Sequence, residues 1–79
     1  MATVRYFAGA RAAAGTSSET VDAGSVKELV DLLEQKHGEK LTTLLGACSF
    51  LVDGLACREP STALTPDTTV DVLPPFAGG

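Results

Sequence analysis

The sequence predicts an α+β domain in which a mixed sheet of about five strands packs by one face on one main helix. Three observations carry that expectation. A capped, amphipathic helix pattern spans residues 25–38, an Asp53-Gly54 turn joins two short strand patterns, and further strand patterns stand near both ends, so the order is β, β, α, β, β, β. With 79 residues there is room for a single small domain, and 44% hydrophobic against 20% charged residues is the balance of a chain that folds.

Residues 3–8 alternate, with Val4 and Tyr6 on one face and Arg5 and Phe7 on the other, which predicts a first strand. Residues 10–15 are small and end in Gly15, which suits a loop or short turn. Residues 18–21 predict a second strand. Ser25 is a natural N-cap, and Glu28 completes a capping box at the start of the helix. Its stripe is Val26, Leu29, Val30 and Leu33, and Gly38 ends it. His37 falls in the last turn, where a positive charge meets the helix dipole favourably, so its role reads as structural. Leu41, Leu44 and Leu45 predict a short helical turn beneath the domain. Residues 50–52 and 55–58 flank Asp53-Gly54, the strongest hairpin signal in the chain. Residues 60–64 are a connection, Thr65-Pro66-Asp67 a turn, and residues 69–73 the last strand.

The net charge of −4 and a pI near 4.6, with six scattered basic residues, argue against nucleic acid or an anionic membrane as partner. No stretch has the length of a membrane span and residues 1–7 lack a signal-peptide pattern, so the expected location is cytoplasmic. Across the predicted hairpin Cys48 lies diagonal to Cys57, at about 7 to 8 Å, which favours two free thiols over a disulfide. Two cysteines and one histidine make neither an iron–sulfur nor a zinc ligand set, and no nucleophile–base pattern or glycine-rich phosphate loop is present. The chain is expected to bind no cofactor or metal and to catalyse nothing alone.

This element order suits a β-grasp, in which the last strand lies beside the first. Val4, Tyr6, Val70 and Val72 then meet the helix stripe in the core. Phe7 and Leu73 remain on the open face, rimmed by Arg5, Arg11 and Asp71, as a partner-docking patch. Residues 1–73 form the predicted domain and residues 74–79, Pro74-Pro75-Phe76-Ala77-Gly78-Gly79, a flexible tail. The prolines stiffen its base, and six extended residues reach roughly 20 Å. Gly78 and Gly79 lack a Cβ, so they can carry a terminal carboxylate through a narrow channel into a partner's active site.

Three segments now stand together: Val4-x-Tyr6-Phe7-Ala8 with Arg11 and Gly15, the Val52-Asp53-Gly54 turn, and the Leu-Pro-Pro-Phe-Ala-Gly-Gly ending. On these the chain resembles the ubiquitin-like sulfur carriers, most closely the small subunit of molybdopterin synthase. The resemblance implies that an adenylating enzyme of the ubiquitin-activating type uses ATP and magnesium to activate the Gly79 carboxylate, which becomes a thiocarboxylate. It further implies docking on the molybdopterin synthase large subunit, or on another sulfur-accepting enzyme, through Phe7, Arg11, Ala56 and Leu73. Ala56 and Leu73 stand where the family often has a larger apolar residue and an aromatic, and Phe76 replaces a common small aliphatic residue. Molybdopterin, another sulfur metabolite such as thiamin or cysteine, and lysine modification remain as alternative destinations for the tail.

Overall fold

The computed structural model describes residues 1–75 of the chain. Its elements are β1 (Ala2–Tyr6), α1 (Gly9–Ala14), β2 (Ser18–Val21), α2 (Val26–His37), α3 (Glu39–Leu45), β3 (Ser49–Val52), β4 (Leu55–Cys57) and β5 (Thr69–Leu73). The strands form one sheet in the order β2-β1-β5-β3-β4. β1 and β5 run parallel at its centre, in the register Val4↔Val70 and Tyr6↔Val72, and every other pairing is antiparallel. This is the β-grasp arrangement the sequence predicts.

Period-two alternation turns Val4, Tyr6, Val70 and Val72 to one face of the sheet, and all four are buried there with Leu29 and Leu33 of α2. Removing each such side chain from water contributes about 1.5 to 3 kcal/mol, so these six side chains anchor the helix to the central strands. Val30, placed in the stripe by its spacing, is only half-buried. Ser25 caps α2 as expected: its Oγ accepts from Glu28 N–H at 3.2 Å, and Glu28 Oε2 accepts from Gly24 N–H at 2.7 Å. α3 is a full seven-residue helix whose Leu41 and Leu45 close the core from below.

Residues 10–15 depart from expectation. Residues 10–14 lie in a helix, α1, with Ala10 buried, and Gly15 follows it in the left-handed region as C-cap (φ 76°). Alanine is the best helix former, and a run of it needs only one buried side chain to be held in place. β1 ends at Tyr6 and β4 at Cys57, each shorter than its alternation suggests. Beyond Tyr6 the chain turns through Ala8 at φ 51°, which stops the strand.

Candidate functional site

Strand register arranges the open face in rows. The central row runs across β1, β5, β3 and β4 as Arg5, Asp71, Leu51 and Ala56. In the next row Phe7 N–H donates to the Val72 carbonyl at 3.2 Å, extending the β1–β5 ladder and setting Phe7 beside Leu73. Phe7, Leu73 and Leu51 are each half-buried and Ala56 is exposed. The structure thus brings three of the four predicted docking residues onto one face. Arg11 lies on α1, exposed and outside the sheet rows.

Arg5 organises this face. Its Nε donates to Asp71 Oδ1 at 2.6 Å and its Nη2 to Oδ2 at 2.9 Å, a two-point fork. The same guanidinium lies 5.7 Å from the centre of the Phe7 ring, within cation–π range. The hydrogen bonds to Asp71, then its charge, push the Arg5 pKa further up, so the cation is permanent. The sequence places Asp71 in the rim of the patch, but it is only 6% exposed and forms no part of that rim; it is the buried anchor beneath Arg5. Parallel pairing of β1 with β5 puts the two residues side by side.

Sequence reasoning missed Leu51 as a member of the patch. The signal was present, since Leu51 alternates with the inward Phe50 and Val52 and pairs Ala56 across the hairpin. At the base of the tail Pro74 is buried and Pro75 exposed, directly after the central strand β5. The predicted reacting group at Gly79, and Phe76, Ala77 and Gly78 with it, lie outside the described residues.

His37 sits on the helix side of the sheet, as its structural reading requires. Its Nε2 meets Glu19 Oε2, its ring stands edge-on to Tyr6 at 6.0 Å, and Glu19 also accepts from Tyr6 Oη at 2.7 Å and from Lys36 Nζ. Burial works to raise the Glu19 pKa, but the bonds from Lys36, Tyr6 and His37 outweigh it and hold the carboxyl below its ordinary range. Burial and the Glu19 bond push the Tyr6 hydroxyl well above its ordinary value. Cys48 and Cys57 are free thiols, and burial pushes Cys48 up. Among the described residues no group of three or more His, Cys, Asp and Glu is placed to hold a metal ion, and no helix is long and apolar enough to cross a membrane.

The model of the ThiS family matches residues 4–79. No curated protein sequence shows significant similarity to the chain. Among solved structures, subunit 1 in the complex of subunits 1 and 2 of the molybdopterin-converting factor from Helicobacter pylori is similar at 27% identity and a TM-score of 0.77, covering 99% of this chain and 97% of that one. The small archaeal modifier protein 1 of Methanosarcina acetivorans superimposes with a TM-score of 0.87 at 24% identity, covering 99% of this chain and 95% of that one. CysO, an antigen of Mycobacterium tuberculosis, does so with a TM-score of 0.79 at 17% identity, covering 94% and 98%. The last two likenesses speak to the fold alone. With the family model spanning all but the first three residues and the overall fold shared with these solved structures, the chain belongs to the ThiS family of ubiquitin-like carrier proteins.

Proposed function

We propose that this chain is a sulfur carrier whose Gly79 carboxylate is adenylated and converted to a thiocarboxylate, and that it delivers sulfur as the small subunit of a molybdopterin synthase. The observation that carries the reading is where the described chain leaves the sheet: Pro74 follows a central strand, β5, paired on both sides, beside the Phe7–Leu73 patch. A partner that grips the open face therefore receives the tail from a fixed origin. Family membership through residue 79 and the two-subunit complex of the Helicobacter pylori neighbour support the same reading.

The chemistry follows from the carboxylate. Ionised at neutral pH, with a reference α-carboxyl pKa near 3.5, it is a poor electrophile. Attack of its oxygen on the α-phosphate of ATP, with magnesium held by the activating partner, forms the acyl adenylate and releases pyrophosphate. A sulfide equivalent then adds to the acyl carbon and AMP departs, leaving the thiocarboxylate. The carrier supplies no acid, base or metal to either step; it positions the acyl carbon, and its partners catalyse. The acceptor in this reading is a pyranopterin precursor, which takes the sulfur while bound to the large subunit.

Intact-mass measurement tests the first step. Incubation with the adenylating enzyme, ATP, magnesium and a sulfur source is expected to exchange one terminal oxygen for sulfur, and deletion of Gly79 to abolish the exchange. Retained sulfur incorporation in the deletion variant would falsify the assignment of Gly79. Mixing the thiocarboxylated carrier with the large subunit and precursor tests the destination through dithiolene formation. A second destination, another sulfur acceptor or a protein lysine, is favoured by one feature: Ala56 and Leu73 give the docking face a smaller apolar surface than the molybdopterin pairing commonly uses. Sulfur delivery to a thiazole or cysteine precursor, or a lysine conjugate, in place of dithiolene identifies it.

A further inference from the structure

A groove of about 770 Å³ opens on the other side of the sheet, between the first half of α2 and the β3–β4 hairpin. Its floor is apolar: Val26 and Val30 from the helix, Phe50 and Cys57 from the hairpin. One long wall is the edge strand β4, which among the described residues has β3 on one side and no strand on the other. Hairpin geometry says which groups that edge presents. Val52 and Leu55 flank the two-residue turn, whose Asp53 and Gly54 both have positive φ (50° and 85°), so they form a hydrogen-bonded pair. The next pair, Leu51 and Ala56, is then a non-bonded one, and the N–H and C=O of Ala56 point away from β3.

Charge completes the description. Lys27 and Asp31 on the helix rim neutralise each other at 3.0 Å, whereas Arg58, exposed at the end of β4, meets no carboxylate within 4.0 Å among the described residues. An apolar floor, two outward main-chain groups and one unopposed cation thus line a single groove on a chain of net charge −4.

We propose that this groove receives an extended segment of a partner protein, with alternating apolar residues and at least one carboxylate, added as a strand beside β4. Alternate apolar side chains would enter the floor, the segment's backbone would satisfy Ala56, and its acid would meet Arg58. A compact small molecule leaves the Ala56 pair unused. A second copy of this acidic chain would bring like net charge against a strand of only three residues, Leu55–Cys57. The groove lies across the sheet from the Phe7–Leu73 face, so a carrier can be held here while its tail is engaged elsewhere.

Selection of random heptapeptides displayed on phage against the intact protein, followed by titration of the most enriched peptide into ¹⁵N-labelled protein, tests this. Enriched sequences are expected to alternate apolar residues and to contain Asp or Glu. Their binding is expected to move the amide resonances of Ala56, Cys57 and Arg58. Arg58→Glu should weaken binding about tenfold or more, the loss of one charge-assisted hydrogen bond, with an unchanged melting temperature because Arg58 is exposed. Ala56→Pro, which removes the outward N–H, should abolish it; if that variant does not fold, Arg58→Glu decides alone. The proposal is overturned if no peptide is enriched, if enriched peptides lack acids or shift Phe7 and Leu73 instead, or if Arg58→Glu binds as well as the parent. It is equally overturned if the groove resonances change on removal of residues 76–79, or with protein concentration alone, which would assign the groove to the chain's own tail or to a second copy.

Discussion

Ala8 holds φ 51° and ψ −126°, a conformation that favours glycine, and it does so where β1 must turn into α1 while leaving Phe7 on the open face. Such a residue stores on the order of 1 to 3 kcal/mol, and glycine there loses roughly 0.5 to 1 kcal/mol of that gain through unfolded-chain entropy. Ala8→Gly is therefore expected to stabilise the domain by about 1 kcal/mol in urea denaturation. Asp53 is the second non-glycine residue with positive φ, and it has two duties. It forms the hairpin turn, and its N–H and Oδ1 bond the Thr69 carbonyl and N–H, each at 2.8 Å, which aligns the start of β5. Asp53→Ala should cost about 1 to 2 kcal/mol, the turn residue and one hydrogen bond together, while Asp53→Asn should be nearly neutral. The turn was legible from the Asp-Gly dipeptide. The bond to Thr69 was not, because its partner is remote in sequence and only the sheet brings them together.

At the level of elements, Glu19 ties β2 to the end of α2 by accepting from Lys36 and His37 while also holding Tyr6 of β1. Its folded pKa lies below the unfolded value, so its contribution is present above an unfolded pKa of about 4.3 and is lost as pH falls through the folded one. Melting temperature measured from neutral to acid pH should drop over that window in the parent, and Glu19→Gln should flatten the acid arm and lower the neutral plateau. The capping box and stripe made α2 legible in full, since both signals are local. α1 was not legible: its run of alanines has no apolar stripe, and only the burial of Ala10 by the rest of the fold makes it an element. The same dependence on neighbours hid Asp71, which reads as a surface charge until β1 places Arg5 over it.

For the whole molecule, the thirteen buried hydrophobic residues among those described lie between Ala2 and Val72 and already cover one face of the sheet with α2 and α3; on the proposed function, removal of residues 76–79 is expected to leave the melting temperature unchanged while abolishing sulfur incorporation, measured by calorimetry and intact mass. If the large subunit proposed as partner grips the open face, Leu51→Ala should weaken that binding by roughly tenfold or more, as expected for an apolar contact worth about 1.5 to 3 kcal/mol, with a smaller effect on stability. The topology was legible because a helix between two strand pairs leaves few ways to cover one sheet face, and parallel pairing of the terminal strands is among them. The composition of the open-face row was less so, because it depends on register, which slips by whole faces with each residue. The central seat of β5 also has a mechanical consequence. A partner that draws the tail inward pulls along the axis of β5, at right angles to the hydrogen bonds of its antiparallel ladder with β3 and obliquely to the slanted ones of its parallel ladder with β1. Those bonds are loaded together, in shear, and cannot be peeled apart one after another from an edge. The domain can thus bear tension applied beyond β5 without unravelling, and on the proposed function a partner could haul the C-terminal end into a tight channel while the body stays folded at the entrance.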